Sequence, residues 1–158
     1  METGLKPEEL VAIRLALTDL NNDFCFFLDN GLIDELVDLF CEDTVYTHGE
    51  RVSVGREEVR RLFACRRGAK TRTSRHIQTG MRFQVADRIH AAGQSVCLTF
   101  GANARPPVSP AEPYLVADFT DEYRRCSDGR WRIQKRHIER IFTAQSNKGP
   151  EGAENQQG

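Results

Sequence analysis

The sequence predicts an α+β fold, and three observations carry that reading. Apolar residues recur at helical spacing through the first 65 positions, broken by two short extended stretches. From Thr71 onward the period changes to two and stays there. Ser127, Asp128 and Gly129 then join the last two extended runs as a hairpin turn. Helices followed by an antiparallel meander make a helical layer packed on one sheet.

Each element has its own signal. Lys6 to Asp29 reads as a helix, with Pro7 in the first turn and Leu10, Ile13, Leu17, Leu20, Phe24, Phe27 and Leu28 forming one stripe. Asn30 and Gly31 stop it, and Leu32 to Phe40 reads as a second short helix. Asp43 to Thr47 and Val52 to Val54 are strand candidates. Gly55 leads into a third helix, Arg56 to Cys65, with Val59, Leu62 and Phe63 inward. The long strands are expected over Arg72 to Ala86, His90 to Ala102, Tyr114 to Cys126 and Arg130 to Thr143. Arg105 to Pro113, with four of the six prolines, is a loop placed to border a pocket. From Ala144 the chain has almost nothing to bury, so the expected organisation is one domain over 1–143 and a disordered tail over 144–158.

Composition excludes several classes of function. Lysine plus arginine (22) nearly cancels aspartate plus glutamate (23), which offers no general attraction for nucleic acid or an anionic membrane. Arg60, Arg61, Arg66 and Arg67 read as a solvated helix face. The five cysteines are odd in number and contain no C-x-x-C pair, which predicts free thiols in a reducing compartment. With no run long enough for a signal peptide core or a membrane span, a soluble cytoplasmic protein is expected. No phosphate loop, nucleophile elbow or H-E-x-x-H helix is present, and His137 with Glu139 is too small a set to hold a metal.

The chemistry centres on Thr71 to Phe83, TRTSRHIQTGMRF. In a strand, Ser74, His76, Gln78, Gly80 and Arg82 share one side, and Arg75, Ile77, Thr79, Met81 and Phe83 the other. Either the histidine's face lines a cavity, or it meets solvent while Ile77, Met81 and Phe83 meet the core. Asp29 stands near the C-terminal end of the first helix, on a face with Cys25 and Phe26. The helix dipole and burial would both raise its pKa, a condition suited to a general base or to orienting a histidine. Alternatively it is an exposed corner residue or a cap for the second helix. Lys135 and Arg136 read as solvated edge residues, and Tyr123 and Trp131 as packing.

LDNGLIDELVDLFCEDTVY, GREEVRRLF, TRTSRHIQTGMRF and DEYRRCSDGRWRIQKRHIERIF, in that order and spacing, resemble the SnoaL-like branch of the nuclear transport factor 2 (NTF2)-like superfamily. The resemblance spans Pro7 to Phe142. It implies a cone, in which three helices pack on a strongly curved, mainly antiparallel sheet around an apolar pocket.

Within that superfamily the chain is similar to cofactor-free dehydratases and dehydrochlorinases related to scytalone dehydratase. The resemblance implies His76 as general base or acid, Asp29 as its orienting partner and Arg125, or Arg124 one register away, as the pocket arginine. Tyr46 and His48 fall near the family's aromatic pocket position, and Phe26 and His137 complete the implied substrate-binding set. A small hydrophobic substrate and a homodimer or homotrimer are implied as partners. One departure stands out, since the second histidine of scytalone dehydratase has no counterpart in VCLTFG (96–101); the tryptophan-rich segment of ring-hydroxylating dioxygenase small subunits is also missing, Trp131 being the only tryptophan. The same fold serves polyketide cyclases, steroid isomerases, small-molecule-binding modules and the non-catalytic small (beta) subunits of ring-hydroxylating dioxygenases.

Overall fold

The computed structural model describes residues 4–67 and 71–144. The elements are α1 (Pro7–Asn30), α2 (Ile33–Asp38), β1 (Phe40–His48), β2 (Arg51–Val54), α3 (Arg56–Arg67), β3 (Thr73–Val85), β4 (His90–Ala102), β5 (Leu115–Arg125) and β6 (Trp131–Thr143). One six-stranded sheet runs in the order β2-β1-β6-β5-β4-β3. Only the β1–β6 pair is parallel, so the sheet is mixed, and the helices pack against it as the α+β reading requires. Of the expected tail over 144–158, all but Ala144 lies outside the described residues.

Local chemistry explains the boundaries. Pro7 opens α1, and the Glu9 carboxylate accepts the Lys6 N–H at 2.8 Å, which serves a backbone donor the helix itself cannot pair. Gly31 closes it in the left-handed conformation, φ 65°, with the N–H of Leu32 reaching back to the Phe27 carbonyl. The second helix is shorter than the expected Leu32 to Phe40. Phe40 instead starts β1, because its register partner is Ile133 of β6 and the Arg56 guanidinium donates twice to its carbonyl, at 2.6 and 3.0 Å. Phe24 of α1 stands at the centre of the core, edge-on to Phe40, Phe63 and Phe119 at 6.1, 6.2 and 6.4 Å.

In β3 the expected alternation holds for only half the strand. Ser74, His76 and Gln78 turn inward, whereas Arg75, Ile77 and Thr79 face out; Ile77 is 50% exposed. At Gly80 the pairing with β4 slips by one residue, between Thr79↔Val96 and Arg82↔Gln94. Beyond this bulge Met81, Phe83 and Val85 point inward and Arg82 outward. The bulge lets one strand give polar groups to one end of the interior and apolar groups to the other.

Gly80 has φ +63°, and a Cβ there would meet nothing within 4 Å. Gly80→Ala therefore tests the backbone alone: a loss of about 1 kcal/mol is expected in urea unfolding. At Gly93 a Cβ would come within 2.9 Å of the Tyr123 ring and 3.0 Å of Phe83, so Gly93→Ala should lose more through crowding.

Candidate active site

The C-terminal end of α1 meets the start of β3. Asp29 receives three donors there: the His76 ring Nδ1 at 2.7 Å, the His76 backbone N–H at 2.8 Å and the Ser74 hydroxyl at 2.8 Å. The aspartate side chain is 6% exposed and the histidine side chain 14%. Burial raises the Asp29 pKa, but the hydrogen bonds from His76 and Ser74 outweigh it and hold the carboxyl below its ordinary 3.8. This corrects the expected upward shift, which counted the helix end and burial but not the strand donors. Asp29 does not cap the second helix either, whose N-cap is Leu32.

An ionised carboxylate only accepts, so Nδ1 carries the ring proton and Nε2 is the basic nitrogen. Among the described residues none hydrogen-bonds Nε2. The proline-rich connection between β4 and β5 starts at this same end, where the Thr73 hydroxyl donates to the Ala104 carbonyl at 2.7 Å.

Deeper in the cone the polar groups continue. Asn21, two turns before Asp29 on the same helical face, donates to the Tyr123 hydroxyl at 2.9 Å and accepts from Gln78 at 3.0 Å and from Arg136 at 2.5 Å. Gln78 donates to Ser95 at 2.8 Å and accepts from the Cys25 thiol at 3.7 Å. Arg136 forms a two-pronged pair with Asp121, 2.8 Å on each side, and stacks over Phe24 and Phe119 at 4.4 and 4.8 Å. Burial works against its charge, yet the Asp121 carboxylate holds the guanidinium protonated. Its Nη1 is the one buried side-chain donor without a partner among the described residues.

Arg136 is thus no solvated edge residue: it is 1% exposed. Strand parity decides this, since His137 and Glu139 face outward and their alternate neighbours Arg136 and Ile138 face inward. The hairpin turn alone would set Asp121 opposite Lys135; a register shift between Glu122 and Tyr123 moves the pairing by one residue and brings Asp121 opposite Arg136, so the turn carried no signal for this pair.

The remaining candidates are dispersed. Arg125 is exposed and donates to the Gly129 carbonyl at 2.9 Å inside the β5–β6 hairpin. His76 sits beside Thr99 and Thr99 beside Leu115, whereas Arg125 lies ten residues further along β5, about 33 Å of strand. Arg124 pairs with Asp43 at 2.7 Å at that same far end. Phe26 is 59% exposed against Phe27, because the inward stripe of α1 runs through Leu17, Asn21, Phe24 and Cys25 and leaves residue 26 outside it. Tyr46 is buried edge-on to Phe40 and Phe63, next to Arg136 across the parallel pair. His48 ends β1 and meets the Arg140 guanidinium at 3.3 Å, and His137 is exposed. Among the described residues no group of three or more His, Cys, Asp or Glu could hold a metal ion, and no helix is long and apolar enough to cross a membrane.

Because Asp29 binds a proton less readily folded than unfolded, its stabilising contribution is full above pH 3.8 and is lost as pH falls through its lower folded value. Asp29→Asn should therefore flatten the acid side of the stability curve. Urea midpoints measured from about pH 2 to 7 check this, and an unchanged acid slope would remove the carboxylate from the site.

Residues 9–137 match the sequence profile of the SnoaL-like domain. No curated protein sequence matches the chain. Among solved structures the fold is similar to a scytalone dehydratase candidate from Novosphingobium aromaticivorans DSM 12444, at 19% identity and TM-score 0.77 over 88% of this chain and 91% of that one. It is similar to LinA at 23% identity and TM-score 0.73, covering 88% and 93%. An aromatic ring hydroxylase candidate from Novosphingobium aromaticivorans is similar at 20% identity and TM-score 0.68, covering 84% and 91%. At these identities the structures share the fold. The profile match covers most of the chain, which belongs to the SnoaL-like domain family.

Proposed function

We propose that the chain is a cofactor-independent acid–base enzyme of dehydratase, dehydrohalogenase or isomerase type, acting on a small hydrophobic, cyclic substrate. The observation that carries this reading is the 2.7 Å contact between His76 Nδ1 and Asp29, which leaves Nε2 as the available base. His76 Nε2 takes a proton from a substrate carbon, and the Asp29 carboxylate stabilises the imidazolium that forms. The electron pair left behind either expels a leaving group from the next carbon or delocalises into an adjacent carbonyl, from which the proton returns elsewhere. Arg125 takes no part in this reading. The interior guanidinium is Arg136, whose unpartnered Nη1 is the donor available to developing negative charge.

A second reading is a small-molecule-binding module or a non-catalytic partner subunit like the ring-hydroxylating beta subunits. The apolar side chains left outside the sheet favour it, with Ile77 50%, Ile141 45% and Phe142 69% exposed. In a homodimer or homotrimer such exposed side chains are covered by a second copy, and sedimentation of the isolated chain tells self-association from a wait for another partner.

The test is solvent-deuterium exchange and product formation on a panel of small cyclic ketones, hydroxy ketones and halogenated rings. Turnover is expected in the wild type and should fall about 10²–10⁴-fold in His76→Gln with ligand binding kept. In the wild type the His76 Nδ1 proton should give a slowly exchanging NMR signal that Asp29→Asn removes. Ligand capture without turnover, unchanged by His76→Gln, would hand the lead to the binding-module reading.

A further inference from the structure

At the end of the sheet opposite the dyad, the β5–β6 hairpin borders an open cavity of about 430 Å³ whose walls include Arg56, Arg124, Arg125, Arg132, Glu42 and Cys126. Two of these guanidiniums are neutralised by carboxylates, Arg124 by Asp43 and Arg132 by Asp38 and Asp128. Arg56 and Arg125 instead donate to the backbone carbonyls of Phe40 and Gly129, which consume hydrogen bonds without cancelling charge. Of the two wall carboxylates, Asp128 is taken up by Arg132, and Glu42 forms no ion pair among the described residues, so four wall arginines face two wall carboxylates and the cavity keeps a positive bias.

Behind this wall lies a second thiol. Cys41, the second residue of β1, is buried, and its Sγ stands 3.9 Å from that of Cys126, which is 85 positions away in sequence. Cys126 is half-buried and lines the cavity, next to the exposed turn at 127–129. Closing 3.9 Å to the roughly 2 Å of a disulfide asks for rotation of the Cys126 side chain beside that turn. Burial, with Cys126 beside it, pushes the Cys41 thiol up to about 12. The two thiols thus differ in kind: one meets solutes from the cavity, and the other is sheltered directly behind it.

We propose that Cys126 and Cys41 form a dithiol site that exchanges with small disulfides carrying carboxylates. The Cys126 sulfur attacks one sulfur of the incoming disulfide. A mixed S–S bond forms, the original S–S bond breaks, and the departing thiolate takes the Cys126 proton. The Cys41 sulfur then attacks Cys126, the mixed bond breaks, and the second thiolate leaves with the Cys41 proton. The two protein thiols are oxidised by two electrons in total, and one disulfide is reduced to two thiols. The arginine wall supplies the selectivity, since it attracts an anionic disulfide and repels a cationic one.

The experiment incubates the full-length chain, without other oxidants, with oxidised glutathione as the anionic probe and cystamine as the cationic one. Remaining thiols are alkylated, and a non-reducing digest is mapped by mass spectrometry. A Cys41–Cys126 cross-linked peptide is expected, forming about tenfold or more faster with oxidised glutathione, an advantage that shrinks with added salt and in Arg125→Gln. Cys41→Ser should stop at a glutathionyl adduct on Cys126. The wild-type map decides the matter even if that variant folds poorly. If label goes to the exposed Cys65 or links Cys25 to Cys97 while Cys41 and Cys126 stay alkylatable, the proposal is overturned. Equal rates with the two probes would also overturn it. None of these readouts depends on turnover at His76, so the site stands or falls separately from the proposed enzyme activity.

Discussion

The interior of this protein is organised around a charge buried away from solvent. Arg136 and Asp121 are paired within the cone at 0% and 1% side-chain exposure. A buried pair of this kind is tolerable only if most of its hydrogen-bonding capacity is met, as here at all but Arg136 Nη1, and losing one partner costs about 3–5 kcal/mol. Tyr123 donates to the second oxygen of Asp121 at 2.7 Å, and Asn21 of α1 accepts from Arg136. The ion pair thereby dictates where the first helix docks.

That docking has consequences further along the helix. Asn21, Cys25 and Asp29 lie four residues apart and present one polar edge to β3. Asn21 and Cys25 both meet Gln78, so the carboxylate of Asp29, about 12 Å further along the axis, arrives at Ser74 and His76. The residues of β3 that answer this edge are inward because the bulge at Gly80 lies after them. The polar half of β3 packs against the helix edge, and its apolar half, with Phe83 edge-on to Tyr123 at 6.0 Å, closes the core.

Arginines occupy two contrasting settings in the same sheet. Arg136 is dry, doubly paired and pressed between two phenylalanine rings, an environment in which a guanidinium orders its neighbours. The group at the hairpin end is wet, partly compensated and open to small solutes. A single sheet separates the two ends by most of its strand length, so the acid–base chemistry proposed for His76 and the thiol exchange proposed for Cys126 lie at opposite ends of it.

Periodicity and turn chemistry were enough for the sequence alone to determine the class of fold and the order of its elements. Pro7, Gly31 and Asp128-Gly129 act locally, and the change from helical to twofold spacing at Thr71 is a property of consecutive residues. The combined motifs also carried the family and singled out Asp29 and His76. Partnership across the fold was another matter. Whether His76 met solvent or the interior depended on which side of β3 received α1, and the direction of the Asp29 pKa depended on donors 45 and 47 residues away. Arg136 was read as an edge residue because a one-residue choice of parity reverses every side chain in a strand, whereas Arg125 was assigned to the pocket by resemblance and lies at the far end of β5 from His76. Only the assembled sheet, with its bulge at Gly80 and its hairpin register pairing Asp121 with Arg136, decided which of the chain's charges would be buried.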